Sequence, residues 1–270
     1  MVTEIVPASG WQAINVRELW TFRELLYFFV WRDVKVRYKQ TVLGIAWAVL
    51  QPALMMLVFT VFLGVLAKVP FANDPLFVYA GMLPWTFFAG AMTNAANSLV
   101  NSERLITKIY FPRLAVPMAA VGAAIVDFAI ASLLLFLMLF LRGVPPTPQV
   151  LLVPMIFVLL TLAAAGVGTM LSALTVAYRD FRYIVPFLAQ FWLFATPSAY
   201  TRLPTDASPW LRWSIVANPI SGLVASFRAA VLGEPIPWNL LGSAAILAGL
   251  LFLAGCLYFR RIEDNFADIL

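Results

Sequence analysis

Few residues of this chain could do covalent chemistry. Its 270 residues include no histidine and one cysteine, Cys256, which lies in an apolar run. His-based triads, His-ligated metals, intramolecular disulfides and cysteine metal clusters are therefore excluded. No glycine-rich loop ends in Gly-Lys-Ser/Thr, which removes that route to nucleotide binding. Asp206 and Glu234 each lack a second carboxylate beside them in sequence, so a membrane glycosyltransferase would require the fold to bring acids together. One acid stands apart: Asp127, in AAIVDFAIAS, is the only charge within any expected span. A carboxylate there is costly and defaults to a functional hypothesis. A channel or coupling role fits it, and so does a structural acid paired between helices.

Non-covalent chemistry has more material. Asn94, Asn97 and Ser98 recur at separations of three and four, which places them on one helical face. Such a face suits another helix or a wet passage better than lipid. Gln190 and an aromatic group, Phe191, Trp192 and Phe194, occupy the middle of a later apolar run.

The elements that hold these groups are membrane spans. With 63% hydrophobic and 11% charged residues, the chain cannot cover a soluble surface of roughly 25–35% charged groups. Apolar runs predict six transmembrane helices, over about 44–66, 76–100, 114–140, 150–176, 184–200 and 238–259. Residues 210–232 are apolar yet broken at Asn218-Pro219, which predicts two short helices dipping from the outer face. Before the first span, Leu19, Phe22, Leu26 and Phe29 share a face within a basic stretch. They predict an amphipathic interfacial helix, lying in the headgroup plane or docked on the protein's own loops. Residues 101–113, NSERLITKIYFPR, carry charge and a short apolar face, which fits either a docking helix or a charged turn.

Charge sets the orientation. Thirteen of the 18 Lys and Arg residues fall on one side of the six-span arrangement, so that side and both termini are expected to be cytoplasmic. The net charge of +5 is explained by these juxtamembrane groups, and nucleic acid drops out as a partner. Three regions result: a cytoplasmic amino-terminal region at 1–43, a membrane domain at 44–261 and a cytoplasmic tail at 262–270.

The stretch WRDVKVRYKQTVLGIAWAVLQPALMMLVFTVFLG resembles the amino-terminal signature of the type-2 ABC export permeases that move cell-surface polysaccharides. GMLPWTFFAGAMTNAANSLV, NSERLITKIYFPR, YRDFRYIVPFLAQFWLFATPSAY and ANPISGLVASFRAAVLGEPIPW are similar to later family segments in the same order. The likeness is strongest to the O-antigen exporters. It implies an all-α polytopic permease that hydrolyses nothing itself, set in a bacterial inner membrane as a homodimer. Two copies of a separate cytoplasmic ATPase would bind ATP and Mg, and no cofactor would bind this chain. The cargo would be a lipid-linked polysaccharide moved from the cytoplasmic to the outer side; a small lipophilic drug or lipid is the alternative. By the same likeness, Glu103, Arg104, Ile106, Lys108, Tyr110 and Arg113 would couple to the ATPase. Trp31, Arg32, Lys35, Arg37 and Lys39 would belong to the interfacial helix. Aromatic rings can cover the apolar faces of sugars. Trp47, Tyr79, Trp85, Phe88, Phe191, Trp192 and Tyr200 are therefore candidates to line the channel beside Asn94, Asn97 and Gln190, although packing or the headgroup level would also accept such rings. The family often has Tyr-Pro after the Ala-Thr-Pro of span five, where this chain has Tyr200-Thr201.

Overall fold

A computed structural model describes residues 20–39, 41–69, 71–106, 111–201, 209–263 and 266, without the side chains of residues 198, 211 and 212. The features expected at Arg17, Leu19, Lys108, Ile109, Tyr110, Arg202 and Asp206 lie outside the described residues. All regular structure among those residues is helical.

Among the described residues five helices are long and apolar enough to cross a membrane: α2 (Gly44–Leu66), α3 (Pro75–Asn101), α5 (Ala115–Leu141), α6 (Pro148–Ala177) and α10 (Trp238–Ile262). Between and before them lie α1 (Arg23–Tyr38), α4 (Glu103–Ile106), α7 (Phe181–Phe194), α8 (Pro209–Ala217) and α9 (Pro219–Leu232). The expected fifth span, 184–200, is the 14-residue α7 followed by a 3-10 turn at Pro197–Ala199. At 1.5 Å per residue α7 reaches only about 21 Å, short of a hydrocarbon layer of about 30 Å. Pro197 stops it, because proline turns the preceding residue away from helical geometry and Thr196 is non-helical.

Helix ends follow local rules. Asp74 caps α3, accepting a hydrogen bond from the Leu76 amide with Pro75 in the first turn. Asn218 caps α9 in the same way, and Gly233, with φ of 72°, ends it in the left-handed region. The outer third of α2, Thr60–Leu66, is wound as a π-helix, which its composition does not announce.

The centre is α3, buried along most of its length and packed on α5, α6 and α9, while α10 packs on α6 and α9. Small residues permit this. At Gly166 of α6 a Cβ would lie 2.5 Å from the Leu251 carbonyl oxygen and the Phe252 Cα of α10, and Gly255 approaches the Gly166 backbone from the other side. At Gly168 a Cβ would meet Ala95 of α3 at 2.7 Å. Close backbone approach brings many weak contacts into range, the main source of helix cohesion within lipid. A second cluster, at the end of the bundle where α1 docks, joins Phe29 of α1 to Ile106, Phe111, Leu114, Phe259 and Phe266. Of the two expected settings for α1, docking on the protein itself is present; Tyr27, Phe28 and Trp31 face outward.

Candidate transport passage

The floor of the candidate site is one face of α3. Thr86, Gly90, Thr93, Asn94 and Asn97 follow each other at three- and four-residue steps and are only half-buried, whereas the opposite face is sealed. Asn97 donates to the Thr93 carbonyl (2.9 Å) and Thr86 to the Leu83 carbonyl (2.9 Å), so each hydroxyl or amide keeps further hydrogen-bonding capacity. The Asn94 amide makes no hydrogen bond to the described residues. Helices α2 and α7 also pack on α3. Gln51 on α2 and Gln190 on α7 are both exposed.

The aromatic candidates divide. Tyr79, Trp85 and Phe88 are at most 3% exposed and belong to the core, with the Tyr79 hydroxyl donating to the Ala131 carbonyl at 2.9 Å. None of the three faces an open passage, a correction whose cause is that α3 is apolar nearly all round and so buries rings on several sides. Trp47 and Phe191 are exposed. Trp192 is half-buried, edge-on to Phe88 at 5.1 Å, and Tyr200 lies 5.3 Å from Phe59 of α2.

Asn218 ties the outer end of α7 to the break between α8 and α9. Its Oδ1 accepts from the Trp192 indole and from the Ile220 amide, each at 3.1 Å. Its Nδ2 donates to the Ala195 carbonyl at 3.0 Å and to the Thr196 hydroxyl at 2.9 Å. One side chain thereby satisfies groups that the proline breaks would otherwise leave orphaned. The composition showed the break but not this clamp. Arg228 of α9 is buried with its guanidinium 3.9 Å from the Phe77 ring centre.

Where α1 docks, Asp127 of α5 forms an ion pair with Arg37 and accepts a hydrogen bond from Tyr38, both at the end of α1. Asp127 is thus a paired acid between helices. Burial pushes the Tyr38 phenol above its ordinary range, partly opposed by the Arg37 cation, which keeps it a proton donor. Gly122 lets α1 lie close to α5, since a Cβ there would meet Val30 at 2.7 Å. Elsewhere on α1, Arg32 pairs with Asp33 at 2.8 Å and Lys35 lies 4.3 Å over the Trp31 ring. Lys39 follows the helix as its exposed cap.

Of the coupling candidates, Glu103 and Arg104 are exposed and line, with Arg32, an open cavity of about 560 Å³. Ile106, expected to couple to the ATPase, is 8% exposed and turned into the cluster around Phe29. The correction follows from α1, whose apolar side needs a partner and takes Ile106. Arg113 donates to the Glu263 carbonyl. Lys108 and Tyr110 fall outside the described residues. Among the described residues no three acids, cysteines or histidines are grouped to hold a metal.

The comparisons with known proteins agree with a membrane domain built for transport. Over 251 residues, 92% of this chain and 96% of the relative, the sequence is 30% identical to an O-antigen export system permease protein RfbA of Myxococcus xanthus. It is 26% identical over 249 residues to a protein of the same description from Klebsiella pneumoniae, covering 92% and 95% of the two chains. The family model for the ABC-2 type transporter matches residues 24–232, from α1 through α9. Five long apolar helices, an open polar face on the central one and this match over most of the chain lead to one conclusion: the protein is a multi-pass membrane permease that belongs to the ABC-2 type transporter family.

Proposed function

We propose that this chain is the permease half of an ATP-driven exporter that moves a lipid-linked, O-antigen-like polysaccharide from the cytoplasmic to the outer side of a bacterial inner membrane. The observation that carries the proposal is the half-buried polar stripe on α3. Amides in hydrocarbon would forfeit their hydrogen bonds at a cost of several kcal/mol, about 4–8 in a fully inert medium, whereas water and sugar hydroxyls satisfy them. A lipophile would need only an apolar cleft. The names of the relatives point to the same cargo.

Two copies would close the passage around this face, each with a cytoplasmic ATPase that binds ATP and Mg. In this arrangement α7 and the Pro197–Ala199 turn act as a short sixth span, both termini are cytoplasmic, and α8 and α9 re-enter from outside. Re-entry is supported by Asn218, bonded to Trp192, which touches Phe88 thirteen residues below the start of α3. At 1.5 Å per residue that is about 20 Å down. Helix α1 would lie at the inner headgroups with Trp31 outward, and residues 1–43, 44–261 and 262–270 would form the three regions. Glu103 and Arg104 would meet the ATPase together with Lys108, Tyr110 and Arg113, while Ile106 supports them from within. Trp47, Phe191, Trp192 and Tyr200 would offer rings to the glycan.

Depleting the protein tests the cargo. Lipid-linked glycan should accumulate on the cytoplasmic side; unchanged glycan export with increased sensitivity to lipophilic drugs would overturn the assignment.

A further inference from the structure

The outer end of α2 is wound to fit one spacing in the sequence. Pro52, Phe59 and Gly64 are the buried residues of this helix. Pro52 and Phe59 are seven apart, which α winding puts on one face. Phe59 and Gly64 are five apart, and α winding would set them about 140° from each other. The π-turn at Thr60–Leu66 closes that gap, because its bonds join residues five apart; the Ala67 amide donates to the Phe62 carbonyl at 3.0 Å. Gly64 then lies so close to the turn after α2 that a Cβ on it would stand 2.6 Å from the Asn73 Cα.

This fit is held against local preference. Lys68 and Phe71, in the turn that follows, have φ of 53° and 66°, a left-handed conformation that residues other than glycine disfavour. Thr60 Oγ1 is buried and makes no hydrogen bond to the described residues, whereas Thr161, Thr169 and Thr175 each donate to the carbonyl four residues back. A π-turn is itself uncommon and is frequently found at functional positions. Uniform α winding is the local alternative. It would carry the Pro52–Phe59 face on through Leu63 and Leu66, and neither side chain has room where even a Cβ does not fit. Rewinding α2 therefore releases the turn at 67–74.

We propose that the outer third of α2 is a two-state element: π-wound with the turn closed, as in this structure, and α-wound with the turn released when cargo leaves on the outer side. The change of winding begins beside a ring offered to the glycan, since Phe59, the last α-wound residue, meets Tyr200 at 5.3 Å. The packing of Gly64 holds the closed form, and strain stored at Lys68 and Phe71 favours release. The proposal rests on the export function above and adds a moving part at the exit.

The test is hydrogen exchange across residues 62–74 in the full transporter complex, at rest and during ATP turnover, beside the ratio of surface to total polysaccharide in cells. The Val69 and Ala72 amides, which donate to the Leu63 and Val69 carbonyls in the closed form, should exchange faster during turnover. Exposed Lys68 tunes the balance without touching the core. Lys68→Gly should favour the closed turn, slow exchange about fivefold, the low end of what a left-handed non-glycine residue costs, and lower the surface share. Lys68→Val should speed exchange, since a β-branched side chain fits that conformation worst. Deleting Val61 puts Phe59 and Gly64 four apart, so that α winding alone keeps the turn closed; the thermal midpoint should hold or rise while export falls. Exchange that is equal at rest and in turnover, or that ignores both Lys68 substitutions, would overturn the proposal. Parental export in Lys68→Gly, or in a folded Val61 deletion, would overturn it as well. Depletion that leaves polysaccharide export untouched would instead remove the export function itself.

Discussion

The inner trio of α3, α6 and α10 and the flanking pair of α2 and α7 are built from equally apolar sequence but are finished differently. In the trio, glycine and alanine bring backbones into contact and the faces that meet are covered, while Ile246, Leu250 and Leu253 on the far side of α10 stay exposed. On the flanks, Leu57, Val58, Phe62, Phe187 and Phe194 remain exposed, and glutamines stand among them. Lipid attracts an apolar side chain as well as another helix does, so cohesion comes from fit rather than hydrophobicity. The seams inside the trio are complete within one chain. The flanks are complementary to something else: lipid, a passage, or a second copy.

Substitutions can break this contrast. The largest effect is expected for Gly166→Leu, which drives a side chain into the α10 backbone; overpacking of this kind costs about 1–3 kcal/mol and more where backbone is the obstacle. A fall in thermal midpoint and in folded yield would check it. Asp127→Ala should follow. It strands Arg37 and the Tyr38 hydroxyl, and because the paired side chains are 30% and 23% exposed the cost should be about 2 kcal/mol, below the roughly 3–5 of a fully buried pair. Swapping the charges, Arg37→Asp with Asp127→Arg, should recover part of the midpoint. Asn218→Ala should cost about 1–2 kcal/mol by orphaning groups at the α8–α9 break and should loosen Trp192, read as a red-shifted, more quenchable fluorescence.

On the flanks, Phe187→Ala should leave the midpoint of a single chain within about 0.5 kcal/mol of the parent, as surface changes usually do, and should weaken self-association in detergent. A large loss of chain stability would erase the contrast. The smallest effect concerns pH. The Tyr38 phenol titrates higher in the folded protein than in the unfolded chain, so its stabilisation is fully present below about pH 10, the ordinary tyrosine value, and is lost as pH rises through its folded value. Tyr38→Phe should abolish that alkaline component of the stability profile and leave the profile below pH 9 flat.

Some of these features were legible before any coordinates. Asn218-Pro219 announced a break between two short helices, and the uncharged run after Lys39 a long helix. Each is a local rule acting within a turn or two. Asp127 was visible as an expensive acid, but its partner was one of several nearby-in-sequence basic residues ninety positions away, and nothing in the pattern singled out Arg37. The aromatic rings failed for a related reason. Along α3 a ring every few positions looks the same whether it meets α5, α6 or an open face, and only the assembled bundle separates buried Tyr79, Trp85 and Phe88 from exposed Phe191. Ile106 was misread because α1 and α4 satisfy each other, a tertiary pairing invisible to either segment alone.

The meeting of Gly166 with Gly255 also sets an order of events during synthesis. Helix α6 leaves the ribosome well before α10, so the groove beside Gly166 is bare until the last helix inserts. A chain stopped before residue 238 would carry four of the five long helices with their central seam open to lipid. Such a fragment offers quality-control proteases a loosely held bundle, and α10 is the keystone whose arrival turns inserted helices into a finished protein.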